Sequence, residues 1–212
     1  SDIHTVWYGI NIPYRMVWSV NLSTKINAKK VWLEEGLKIL ETEGPGMLSI
    51  ENLTRRTGKT KGSFYHHFRD RNGYVEKLLE YYEAYTTREI IERANEENDP
   101  QGSLRNLTKL TFRLSGTLEL AIRAWALYDS KVRRFQDRMD LLRSEYLREL
   151  HQAAGLTPAK ARNAAYRDYA LFLGLQQLRH NFDEKRFAEI LRALFHPSQK
   201  PDKASGNRSN ND

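Results

Sequence analysis

Between Thr60 and Arg71 the chain sets out side chains that donate hydrogen bonds and positive charge: the hydroxyls of Thr60 and Ser63, the ammonium of Lys61, the phenol of Tyr65, the imidazole of His66 and the guanidinium of Arg71. Partners suited to such a set are phosphate oxygens and the edges of bases. From Ser49 to Arg71 the cations Arg55, Arg56, Lys59, Lys61, Arg69 and Arg71 stand against only Glu51 and Asp70, a local excess expected of a surface that touches phosphates. Catalysis finds little support. There is no HExxH, no glycine-rich phosphate loop and no G-x-S-x-G, and no spacing brings a nucleophile to a base. His66 and His67 are adjacent and therefore diverge on a helix, a poor geometry for one metal ion. Phosphate contact is the better reading of His66, and no cofactor is expected.

Two short helices and a tight turn would position these groups. Ser49 is suited to N-cap the first, Ile50 and Leu53 share its apolar face, and Gly58 stands where a left-handed C-cap costs little. Thr60 then caps a second helix whose Phe64 and Phe68, four apart, face inward, so that Lys61, Gly62, Ser63, Tyr65, His66 and Arg69 project elsewhere. A helix N-terminus carries free N–H groups and positive partial charge, which suits that end to phosphates and base edges. Gly62 lets the backbone come close to either. Two helices so joined, with the second presenting its N-terminal residues outward, form a helix-turn-helix. The competing reading is an ordinary helical hairpin with a solvated basic face, in a helical adaptor or enzyme that does not bind DNA.

The run Gly58-x-Thr-Lys-Gly-Ser-Phe-Tyr-His-His-Phe68-x-x-Arg71 resembles the TetR family of bacterial transcriptional regulators, over roughly Ile26 to Leu79. The resemblance implies an N-terminal three-helix DNA-binding domain and a larger C-terminal helical ligand-binding and dimerisation domain. It also implies a homodimer on a palindromic or pseudo-palindromic double-stranded operator, repressing until a small-molecule effector binds. Carried over, Thr60, Lys61, Gly62 and Ser63 lie at the mouth of the groove, Tyr65 and His66 match backbone contacts, and Arg71 matches a lysine with that role. Ser49 and Lys59 complete the DNA-facing set. Lys59 stands where a small aliphatic residue is usual, and Thr54 and Thr57 where alanine is. Lys59 can snorkel to solvent or reach toward phosphate.

The rest of the 212 residues, with net charge +7 and no cysteine, reads as all-α. The length allows a small domain fused to a larger one, and the missing cysteines exclude disulfides and thiolate zinc while permitting a reducing cytoplasm. Residues 1–22 are apolar and aromatic without clear period, and Asn11, Pro13, Arg15 and Asn21 interrupt any membrane span. They are expected to be an extension outside the fold, with Met16 a candidate start. The DNA-binding domain is expected over 23–73: a helix from Ser23 or Thr24 to about Glu43, with Thr24, Lys25 and Lys29 placed to touch flanking phosphates, though simple solvation is the better reading of either lysine taken singly, then the two-helix unit. Arg71-Asn72-Gly73 is read as a turn, followed by one long helix from Tyr74 to about Asn98. A regulatory domain over 74–196 would continue with helices near 102–115, 117–128, 130–154, 158–181 and 184–195, broken at Gly116, at Thr157-Pro158 (Thr157 capping) and at Asn181–Asp183. Residues 197–212 are expected to be disordered. Helices 158–181 and 184–195, with wide apolar faces and the small pair Ala170 and Gly174, suit a four-helix dimer interface or the chain's own core. An effector cavity would lie among the middle helices, near aromatic or polarisable side chains such as Tyr85, Phe112, Trp125, Tyr128, Met139, Tyr146, Tyr166 and Tyr169 and the polar Arg123, Asp137, Asp140 and Arg143. No one of them stands out as a site.

Overall fold

The structure is a computed structural model that describes residues 28–195. The expectations for 1–22, Met16, Thr24, Lys25 and 197–212 lie outside the described residues. All regular elements described are helical. Helix α1 (Ala28–Glu43) buries Trp32, Leu33, Leu37, Ile39 and Leu40, the stripe its spacing predicts. It stops at Gly44, whose φ of 80° no helix continues, and a 3-10 turn at Pro45–Met47 leads on. Helices α2 (Ile50–Thr57) and α3 (Lys61–His67) follow, then α4 (Arg71–Glu83). Arg71-Asn72-Gly73 is therefore not a turn but the first turn of α4: the Asp70 carboxylate accepts from Gly73 N at 2.8 Å and caps the helix.

An aromatic cluster locks α1, α3 and α4 together. Phe64 meets Trp32 edge-on at 5.4 Å, and Phe68 meets Tyr74 at 4.9 Å. Tyr74 reaches across to donate to Trp32 O at 2.8 Å. That reach needs Gly36, because a Cβ there would lie 1.9 Å from the Tyr74 hydroxyl.

The expected long helix is present but is irregular and displaced, running from Arg71 to Ala94. After Glu83 one π-turn, Ala84–Arg88, intervenes before α5 (Glu89–Ala94), and Asp99 caps the next helix, α6 (Pro100–Thr111). Helix α7 (Gly116–Ala126) starts at Gly116 rather than breaking there, with the Ser115 hydroxyl accepting from Leu118 N at 3.3 Å. The body closes with α8 (Ser130–Ala153), α9 (Pro158–Leu178), a 3-10 turn at Arg179–Asn181 and α10 (Glu184–Phe195). Thr157 sits at the N-cap of α9 but its side chain makes no capping bond. Helix α8 packs along α7 and α9, and α7 also packs on α1. One apolar core consequently runs without interruption from Trp32 and Phe64 through Leu78 and Tyr82 to Ile122, Phe135 and Met139. No described helix is long and apolar enough to cross a membrane.

Candidate nucleic-acid interface and effector cavity

The helix-turn-helix is built by short local bonds on a buried aromatic floor. Ser49 Oγ accepts from Asn52 N at 3.1 Å, and Asn52, itself buried, donates to Met47 O at 3.0 Å. Gly58 ends α2 with φ 66°, a left-handed conformation that glycine adopts without Cβ strain. Thr60 Oγ1 accepts from Ser63 N at 3.1 Å and fixes the start of α3. With Phe64 and Phe68 turned inward, Lys61, Gly62, Tyr65 and His66 are exposed, and Ser63 and Lys59 are half-buried. The structure thus leaves Thr60, Lys61, Gly62, Tyr65 and His66 exposed around the start of α3, with Ser63 half-buried among them. A Cβ at Gly62 would meet only Thr60 Oγ1, at 3.7 Å, so packing within the chain does not demand glycine there.

The electrostatics are less one-sided than the local sequence implies. Lys61 Nζ donates to Glu51 Oε1 at 2.7 Å, and this bond holds the Glu51 carboxyl below and the Lys61 ammonium above their ordinary ranges. Arg56 is tied to Glu35, at 2.6 Å, and to Glu43, both on α1. Arg71 Nε donates to Leu48 O at 2.8 Å, pinning the start of α4 to the entrance of α2. Arg69 lies 3.4 Å from Asp70. Arg56 and Arg71 therefore brace the unit, whereas counting charge within residues 49–71 missed the carboxylates that α1 contributes. Lys29 lies over the Phe68 ring at 5.8 Å. Burial, then His66, Lys29 and Lys59, push the His67 imidazole below its ordinary pKa.

In the body, a cavity of about 500 Å³ opens between the π-turn, α6, α8, α9 and α10. Ile90, Leu107, Phe112 and Phe172 form much of its apolar wall, and Thr86, Thr87 and Arg143 bring polarity to it. Of the residues singled out from sequence, Phe112, Tyr146, Tyr169 and Arg143 line it. Trp125 and Met139 belong to the core, Tyr128 and Tyr166 are exposed, Asp137 is exposed and Tyr85 is half-buried. Sequence reading missed Thr86, Thr87, His151 and Asp168, since nothing in their spacing announces a π-turn or a pairing across helices.

Behind the cavity wall lies a buried ionic network. Glu119 accepts from Tyr82 OH at 2.5 Å, from Arg123 Nε at 2.8 Å and from Arg143 Nη1 at 3.0 Å. Arg143 also donates to Thr87 Oγ1 at 3.0 Å and to Thr86 Oγ1 at 3.3 Å. Arg123 pairs with Asp140 at 2.7 Å, and the Tyr169 hydroxyl donates to the same carboxylate at 2.7 Å. Burial alone would raise the Glu119 carboxyl, but the two guanidiniums and the Tyr82 hydroxyl outweigh it and hold the group below its ordinary pKa. Burial pushes the Tyr169 phenol up to about 12. The network joins α4 and the π-turn to α7, α8 and α9, so it links the helix that leaves the helix-turn-helix to the walls of the cavity.

No protein-family model matches the chain. Among curated proteins, the HTH-type transcriptional regulator BetI of Pectobacterium carotovorum is 29% identical over 98 residues, or 45% of this chain and 50% of BetI, so the match spans about half the length of that relative. Among solved structures, Escherichia coli NemR in its reduced form superposes with a TM-score of 0.62 at 17% identity, covering 79% of this chain and 95% of NemR. A chain described as a TetR-family transcriptional regulator from Rhodococcus sp. gives 0.63 at 17% identity over 79% of this chain and 96% of that one. A transcriptional regulator from Saccharomonospora viridis, in complex with choline, gives 0.63 at 16% identity, covering 82% and 98%. The chain has the fold of the TetR/AcrR regulators and, over 98 residues, is similar in sequence to the HTH-type regulator BetI.

Proposed function

We propose that this chain is a sequence-specific DNA-binding transcriptional regulator, a cytoplasmic homodimeric repressor released from its operator by a small-molecule effector. The observation that carries the reading is the face of α3. A capped N-terminus that leaves Thr60, Lys61, Gly62, Tyr65 and His66 exposed, with Ser63 half-buried, sits on a floor of buried aromatics. Such a rigid, donor-rich helix end suits the major groove. Ser49, Lys59 and Arg71 flank it, Arg71 mainly as a brace. The protein would divide into a head at 23–73 and a body at 74–196. Exposed Tyr166, Leu178 and Leu194 on α9 and α10 support these helices as the homodimer interface that spaces two heads over a palindromic operator. The regulator names of BetI and of the structural neighbours support the same reading, and they do not favour a helical enzyme or adaptor. The choline complex of one neighbour supports a small-molecule effector in a chain of this fold. Effector in the cavity would shift α4 through the Arg143 and Glu119 network and alter the separation of the heads.

The test is binding of the purified protein to DNA upstream of its own and neighbouring genes, across a salt series and against random competitor. Saturable, competitor-resistant binding with a steep salt slope is expected. Binding no tighter than to random DNA, unchanged after refolding away any bound ligand, overturns the proposal.

A further inference from the structure

The charges around the cavity discriminate among ligand classes. Its wall carries Arg105, Arg143 and Arg167 but a single carboxylate, Asp168. Both oxygens of Asp168 are engaged, one by His151 Nε2 at 2.8 Å and the other by Arg167 at 2.8 Å. Adding the residues behind the wall, the guanidiniums of Arg105, Arg123, Arg143 and Arg167 still outnumber the carboxylates of Glu119, Asp140 and Asp168 by one. A cation in this shell would meet no unengaged carboxylate and a positive balance, whereas a monoanion would neutralise it. The volume is that of a small organic ligand, and most of its surface would be buried against Ile90, Leu107, Phe112 and Phe172.

Arg143 offers the position for the charged group. Its side chain is only 11% exposed, and Glu119 holds it from behind. Its bonds to Thr87 and Thr86 are to neutral hydroxyls. A carboxylate makes stronger, charge-assisted bonds to a guanidinium than a hydroxyl does, so it can take their place. We propose that the cavity binds a small monoanionic amphiphile, a carboxylate on an apolar aromatic or alkyl body, with its head on Arg143 in place of the π-turn hydroxyls. The head group thereby acts on Thr86 and Thr87, in the helix that joins the body to the helix-turn-helix. This deepens the effector part of the regulator reading and rests on it for its consequence in DNA binding, though not for the binding itself.

The test uses the full chain and a matched series: phenylpropionate, phenylpropionamide and phenylpropyltrimethylammonium, with choline as a further cation. Calorimetry and thermal shift should show phenylpropionate binding about tenfold more tightly than the amide, the margin between charged and neutral hydrogen bonding, and neither cation binding. Leu107→Trp, which fills the cavity, should abolish phenylpropionate binding. Arg105→Gln, at an exposed wall position, should weaken the carboxylate several-fold and leave the amide unchanged. The proposal is overturned if a cation binds more tightly than phenylpropionate, if carboxylate and amide bind alike, if Leu107→Trp binds normally, or if no member binds at millimolar concentration. Ligand-free operator binding, measured in parallel, separates the two readings: a chain that binds operator but prefers the ammonium loses only this inference, and one that takes phenylpropionate but binds no DNA loses only the regulator reading.

Discussion

Lys61 and Glu51 form an exposed pair at 2.7 Å, in the region proposed to meet DNA. A phosphate would compete with Glu51 for the ammonium, and the carboxylate itself would repel the DNA backbone. Glu51→Gln is therefore expected to raise operator affinity a few-fold at low salt and to leave the melting temperature unchanged, because exposed pairs contribute little to stability. Lys61→Ala should weaken binding and reduce the slope of log K against log salt by about 0.9, the contribution of one phosphate contact. Gel-shift or anisotropy titrations of both variants over a salt series check the pair; equal affinity for wild type and Glu51→Gln would remove Lys61 from the interface. Residue-scale features were legible where the partners are near in sequence. The Ser49 and Thr60 caps and the Gly58 left-handed end all operate within three or four positions. The Lys61 and Glu51 bond spans ten positions, and the bonds of Arg56 to Glu35 and Glu43 return to another helix, so no local spacing reveals them.

Among the elements, α1 and α4 meet tightly at Gly36, whose missing Cβ makes room for the Tyr74 hydroxyl. Gly36→Ala would place a methyl 1.9 Å from the Tyr74 hydroxyl and 3.1 Å from Leu78 Cδ1. Overpacking of this kind costs about 1–3 kcal/mol, read as a lower denaturant midpoint. Adding Tyr74→Phe removes the colliding oxygen, so the double variant should recover part of the loss even though Tyr74→Phe alone forfeits the bond to Trp32 O. Strict additivity of the two losses would contradict the collision. Helix existence and most helix ends followed from apolar period, caps and prolines. The Arg71-Asn72-Gly73 error shows the limit: an Asn-Gly pair favours a turn locally, but Asp70 offers a cap and Tyr74 must enter the core, and those demands start the helix earlier. The π-turn was illegible for a similar reason, since Ala84–Arg88 has ordinary helical residue types and is set by what Thr86 and Thr87 meet across the body.

At the scale of the whole molecule, the continuous core from Trp32 to Met139 makes head and body one mechanical unit, with the buried Glu119 and the half-buried Asp140 as carboxylates beside it. Both carboxyls are held below their ordinary pKa by guanidiniums that outweigh burial. Their contribution to stability is thus complete above the unfolded values of 4.5 and 3.8 and is lost as pH falls below these toward the lowered folded values. Melting temperature should hold from neutral pH to about 5 and then drop. Glu119→Gln, which leaves Arg143 without its counter-charge, should cost about 3–5 kcal/mol at neutral pH and flatten the acid limb; a parallel limb in the variant would show that other groups control it. The π-turn has a geometric consequence as well. Such a turn accommodates one residue more than an α-helical turn, and each residue advances a helix by about 100°. Ala84–Arg88 therefore works as a phase adjuster in the shaft between head and body. It lets Tyr74 and Leu78 face one core while Ile90 and Ala94 face inward further along, and losing one residue there would swing the DNA-facing end by roughly a quarter turn. The azimuth of the reading head thus depends on this inserted residue together with the packing of α1 on α7, which makes the π-turn a place where small chemical changes become angular ones.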